Sequence, residues 1–172
     1  MEKNVIYVVL FSLLLQFSFL NQDIVKVFGF YQNVFGVLQS NDLMEKSKQF
    51  ILSLTEKVNI YSTEFHQAIS DWQEGKFNNK TLIQKTNDYI ITLEDIVMKL
   101  ENFSSTKEYI PIFQSYLKSI NSEIDSHKHF VKYLETGNTT ENEISVDLFS
   151  KAGEYEAQTI GEFTRLNSEV VN

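Results

Sequence analysis

Apolar residues recur through the middle of the chain at alternating steps of three and four. The clearest run is Ile51, Leu54, Val58, Tyr61, Phe65, Ala68 and Trp72. A helix turns once every ~3.6 residues, so this run lines one face and forms a coiled-coil-like seam. Three later segments repeat the spacing. Leu82, Thr86, Tyr89, Leu93, Ile96, Leu100 and Phe103 make the second stripe, widened by Ile83, Ile90 and Val97. Tyr109, Phe113, Tyr116, Leu117, Ile120, Ile124, His127, Val131 and Leu134 make the third. Leu148, Ala152, Tyr155, Thr159, Phe163, Leu166 and Val170 make the fourth.

Cap and turn chemistry sets the predicted boundaries. Ser40, Asn41 and Asp42 can each cap a helix, and Glu45 stands where a capping box places its acid. The first helix is expected to run from there to Trp72 or Gln73. Gln73–Asn79 is the first turn, with Gly75 just past the helix end. The second helix starts between Asn79 and Thr81 and stops at Ser104, Ser105 and Thr106. Pro111 suits only the first turn of a helix, so the third is regular from about Ile110. It ends near Thr136, with Gly137 as the residue that leaves the helix. The fourth follows Asn138, Thr139 and Thr140. Its Ala152, Gly153, Ala157 and Gly161 fit either close packing on a neighbour or a weak helix.

Short connections make successive helices antiparallel. The expected fold is all-α: an up-down four-helix bundle over residues 40–172, preceded by an N-terminal hydrophobic helix within residues 1–39. One Pro and six Gly in the whole chain argue against a turn-rich β architecture.

Residues Val5–Leu20 read VIYVVLFSLLLQFSFL, interrupted only by Ser12, Gln16 and Ser18. With Lys3 ahead of it, the run has the layout of a secretory signal or signal-anchor. No small-residue cleavage pair follows Leu20, which favours an uncleaved anchor over secretion after cleavage. Its helical length of roughly 24 Å is short of the ~30 Å hydrocarbon core, and flanking residues or local thinning would make up the rest. Ile24, Val27, Phe28, Tyr31, Val34, Phe35 and Leu38 continue a helical period, suited to a membrane surface or to the bundle. The positive-inside rule places the N-terminus in the cytoplasm and the bundle outside. The competing reading packs residues 5–38 into the core of a soluble intracellular helical protein.

Charge and composition then remove whole classes. A formal net charge of -8 disfavours nucleic acid, whose phosphates call for clustered Lys and Arg. The absence of Cys removes disulfides, thiolate metal sites and a Cys nucleophile. Di-iron bundles use Glu-x-x-His, but Thr63, Ile124 and Ser126 stand three residues before His66, His127 and His129. Glu123 and Asp125 precede His127 and His129 by four and share their faces. His127 is expected at the core edge and His129 in solvent. Neither a nucleophile elbow nor a Gly-rich phosphate loop occurs. No metal, cofactor or enzymatic activity is expected. Glu94 with Asp95, and Glu154 with Glu156, read as solvated faces.

Tyr61, Trp72, Tyr89 and Tyr116 are the candidates for a ligand pocket or a bundle-end cap. Trp72 is expected to cover the bundle end. The seam tyrosines, Tyr109 and Tyr155 among them, are expected at the core edge with wet hydroxyls. Asn79, Asn102 and Asn138 head Asn-x-Ser/Thr sequons at the predicted turns and are candidate glycosylation acceptors.

The Trp-x-x-Gly turn at Trp72–Gly75, the Leu/Ile-rich helix after it, and Lys107-Glu108-Tyr109-Ile110-Pro111 give a layout over about residues 42–170. That layout resembles uncharacterised exported or membrane-anchored helical-bundle domains of bacteria and archaea. The resemblance implies no catalytic residues. The expected function is a membrane-anchored extracytoplasmic interaction or scaffold domain, held by residues 5–20 and working through an unknown protein partner. The alternative is a small-ligand-sensing four-helix bundle. The wide stripe of the second helix also suits burial against a second copy.

Overall fold

The computed structural model describes residues 42–169. The expected hydrophobic helix of residues 1–39, the caps Ser40 and Asn41, and Val170 lie outside them. The described residues form four helices: α1 (Asp42–Gln73), α2 (Asn79–Asn102), α3 (Ile110–Thr136) and α4 (Thr139–Glu169). Together they build an all-helical bundle.

The helix ends follow their local chemistry. Gly75 adopts φ 76°, and Lys76 N–H reaches back to Asp71 O at 2.9 Å, a left-handed exit that closes α1. Asn78 caps α2, its Oδ1 accepting from Thr81 N–H at 3.1 Å. Pro111 sits in the first turn of α3, where its missing N–H has no partner to lose. Gly137 leaves α3 at φ 71° and donates to Tyr133 O at 2.8 Å. Asn138 Oδ1 then accepts from Thr140 N–H at 3.1 Å and starts α4.

Paired side chains advance along one helix as they retreat along the next. Phe50 stacks on Phe103, Phe65 on Tyr89, and Trp72 bonds Asn79, so α1 and α2 are antiparallel. Ser115 meets Thr159, Ser119 meets Ala152 and Ser126 meets Ser145, so α3 and α4 are antiparallel too. These two helices approach most closely. Ser119 and Ser126 are a heptad apart, as are Ser145, Ala152 and Thr159, so small side chains face one another turn after turn. The hydroxyls are satisfied across the seam: Ser119 Oγ donates to Ala152 O at 2.9 Å and Ser126 Oγ to Ser145 O at 2.7 Å.

The close packing therefore rests on Ser145, Ala152 and Thr159. Gly161 and Ala157 are exposed and contribute nothing to it. Helix α1 stands further off, because large rings fill the space between it and its neighbours. At one end Phe50, Phe103 and Phe113 stack as a trio with centroids 4.0 to 5.9 Å apart. In the middle Phe65 lies against Tyr89 and His127, and at the other end Trp72 meets Phe130 edge-on at 6.4 Å.

The stripes bury largely as their spacing requires, with one-residue shifts from Val131 to Phe130 in α3, from Leu148 to Phe149 in α4 and from Tyr61 to Ser62 in α1. In α1, Ile51, Leu54, Phe65 and Ala68 are buried, but Tyr61 is 40% exposed and Ser62 beside it is buried at 7%. The seam turns toward Ser47, Ser62 and Ile69. The small Ser62 fits beside the Tyr89 hydroxyl, where a second phenol would not.

Candidate functional site

The seams of α1 and α3 carry polar residues at the same steps as apolar ones. On α3, Tyr116, Glu123 and His127 share a face with Ile120. On α1, Thr55, Asn59, Ser62 and His66 do the same. The fold brings both stripes inward, and Tyr89 of α2 and Glu156 of α4 join them.

Glu123 is the hub. It is 8% exposed, and its Oε1 accepts the Tyr89 hydroxyl at 2.8 Å. His127 Nε2 lies 3.5 Å from the same oxygen, with its ring packed among Phe65, Tyr89 and Phe149. His66 feels both Glu123 and His127. Burial pushes its pKa down, the Glu123 carboxylate pulls it back up, and His127 lowers it further. Glu156 contributes a fully buried Oε2 with no hydrogen-bond partner. Burial, aided by the Glu123 charge, raises the Glu156 pKa to about 8, so this carboxyl holds a proton at neutral pH. The Tyr89 and Tyr116 phenols are pushed above their usual range, chiefly by burial. Asn59 buries both side-chain polar atoms without a hydrogen-bond partner among the described residues.

Several expectations are corrected here. His127 lies in the core, at 5% exposure, because Phe65 and Phe149 close over it. His129 is half-buried and bonded to Glu141 across the α3–α4 turn, so it does not face solvent freely. Glu154 is exposed, but Glu156 turns inward, one turn from both Ala152 and Thr159. Tyr89, Tyr109 and Tyr116 lie inside the core; the Tyr89 hydroxyl is taken by Glu123 and the Tyr116 hydroxyl is buried beside Thr55. The signal for the hub was present in the sequence: Glu123 falls on the Tyr116–His127 face and Glu156 within the arc between Ala152 and Thr159. Net charge and pair counting hide it, because they treat every carboxylate as solvated.

The four aromatic candidates separate. Tyr61 and Tyr89 line a common groove between α1 and α2, with Glu64, Phe65, Ala68, Lys85, Asp88 and Thr92. Tyr116 lies in the core instead. Trp72 sits at the bundle end, its Nε1 donating to Asn79 Oδ1 at 2.9 Å. Among the sequon residues, Asn79 also donates from Nδ2 to Leu134 O at 3.2 Å, tying α1, α2 and α3 together. Asn102 Nδ2 donates to Met98 O at 2.7 Å. Asn138 engages its Oδ1 and is exposed.

The cluster can hold a proton on the Glu156 carboxyl. Among the described residues no three His, Asp or Glu side chains converge to hold a metal ion. Comparison with known proteins finds no matching family model, no matching curated protein and no matching solved structure.

Proposed function

We propose that the chain is a membrane-anchored, extracytoplasmic helical module that works by recognising another protein. The observation that carries this reading is the apolar run Val5–Leu20, placed after Lys3 and ahead of a four-helix bundle. The layout shared with exported helical domains agrees with it. Ile91 and Met98, one heptad apart on α2, stand 64% and 55% exposed and offer an apolar contact.

The test is fractionation of cells expressing a C-terminally tagged chain, followed by protease treatment of intact cells. The expected result is full-length protein in the membrane and a tag digested from outside. A soluble, protected chain would return residues 5–38 to the core of an intracellular protein and remove the reading.

A second reading is favoured by the α1–α2 groove: a bundle that senses a small ligand and signals through a separate partner. A ligand-specific rise in melting temperature is its expected signature.

A further inference from the structure

The groove between α1 and α2 is open to solvent and has a volume of about 260 Å³. Drug-sized pockets run from roughly 300 Å³ upward, so a guest here is a small metabolite. The antiparallel register arranges the lining in three levels. Ala68 and Lys85 form one end, Glu64, Phe65, Asp88 and Tyr89 the middle, and Tyr61 with Thr92 the other end.

Each level has its own chemistry. In the middle, Phe65 and Tyr89 stack at 4.8 Å with an interplanar angle of 12°. The Tyr89 hydroxyl is taken by Glu123, so Tyr89 gives the groove its ring. Glu64 and Asp88 supply a carboxylate from each wall, and neither forms an ion pair among the described residues; the Lys85 charge is felt by Asp71, beyond the Ala68 end of the groove. An ammonium suits that level, facing a carboxylate from each wall. Lys85 stands three residues before Asp88 on the same wall, about one helical turn or ~5 Å along the groove. A carboxylate held at Lys85 and an ammonium held at Glu64 and Asp88 belong on one small molecule. The remaining end, under Tyr61, takes an apolar substituent.

We propose that this groove binds a free α-amino acid with an apolar side chain. Its ammonium sits between Glu64 and Asp88, its carboxylate at Lys85, and its side chain toward Tyr61. A simple anion meets two carboxylates there, and a simple amine makes no use of Lys85. The assignment rests on the sensing reading and names its ligand class.

The test is equilibrium dialysis of L-leucine against the full chain in mild detergent, with two analogues in competition. Leucinamide lacks the carboxylate and 4-methylpentanoate lacks the ammonium. Leucine is expected to bind saturably, and each analogue about tenfold more weakly or worse, the loss of one ion pair. Lys85→Gln should abolish the preference over leucinamide. Asp88→Asn should shrink the preference over 4-methylpentanoate. Both positions are exposed, and an unchanged circular dichroism melt checks that the variants fold. Equal binding of leucine and leucinamide, or a preference that survives Lys85→Gln, overturns the amino-acid assignment and leaves a sensing groove for another ligand. No saturable binding of any of the three overturns the amino-acid assignment, and the melting-temperature test then decides the sensing reading separately.

Discussion

Replacing Glu156 by Gln should stabilise the bundle, and by an amount that depends on pH. Glu156 Oε2 is buried without a partner, and its pKa rises from 4.5 to about 8 on folding. The folded chain therefore keeps a proton that the unfolded chain gives up. That contribution is fully present below pH ~4.5 and drains away as pH climbs to about 8. Each pH unit inside this window removes ~1.4 kcal/mol, so by neutral pH the loss is about 3 kcal/mol. Gln is neutral throughout and nearly isosteric, so the loss disappears. For a bundle of this size that corresponds to roughly 10 °C in melting temperature. Thermal melts of the full chain in mild detergent, followed by circular dichroism, read it directly. Wild type and Glu156→Gln should melt together near pH 4.5 and diverge steadily toward pH 7.5. A gap of constant size, or one that widens toward acid, would refute the argument that a buried proton at Glu156 sets the slope.

Three further outcomes follow from the same structure. His66 has a lowered pKa, so the unfolded chain binds its proton first and stability falls as pH drops below about 6.5; His66→Gln should flatten that acid limb in melts. Ala152 is fully buried where α3 and α4 approach most closely, so Ala152→Leu should cost about 2 kcal/mol or more in denaturant unfolding, against under ~0.5 kcal/mol for exposed Ala157→Leu. Asn79→Ala removes the partner of Trp72 Nε1 and the bond to Leu134 O; a loss of about 1 kcal/mol is expected, with a shift in the fluorescence of the one Trp.

The sequence by itself determined the helices. Apolar spacing, Pro111 and the two left-handed glycines are local signals, and helix formation is decided mainly within a few turns of chain. The α2 stripe was legible for the same reason, since a buried arc must recur with the helical period, and the α3 and α4 stripes to within one residue at Phe130 and Phe149. The α1 seam was legible only to within a rotation. Tyr61 and Ser62 are adjacent, and which one turns inward depends on the room left by Tyr89.

The tertiary structure alone decided the polar interior and the groove. Glu123, His66, His127 and Glu156 come from three helices, and no local rule says that their faces meet. Whether a carboxylate is solvated or buried is a property of what packs over it, so the pairing of Glu154 with Glu156 misled while their opposite placement is plain in the bundle. The same holds for the spacing between helices. Serines and Ala152 let α3 and α4 close up, while Phe50, Phe65 and Trp72 hold α1 away. The α1–α2 groove lies beside those rings, which are far apart in sequence until packing brings them together.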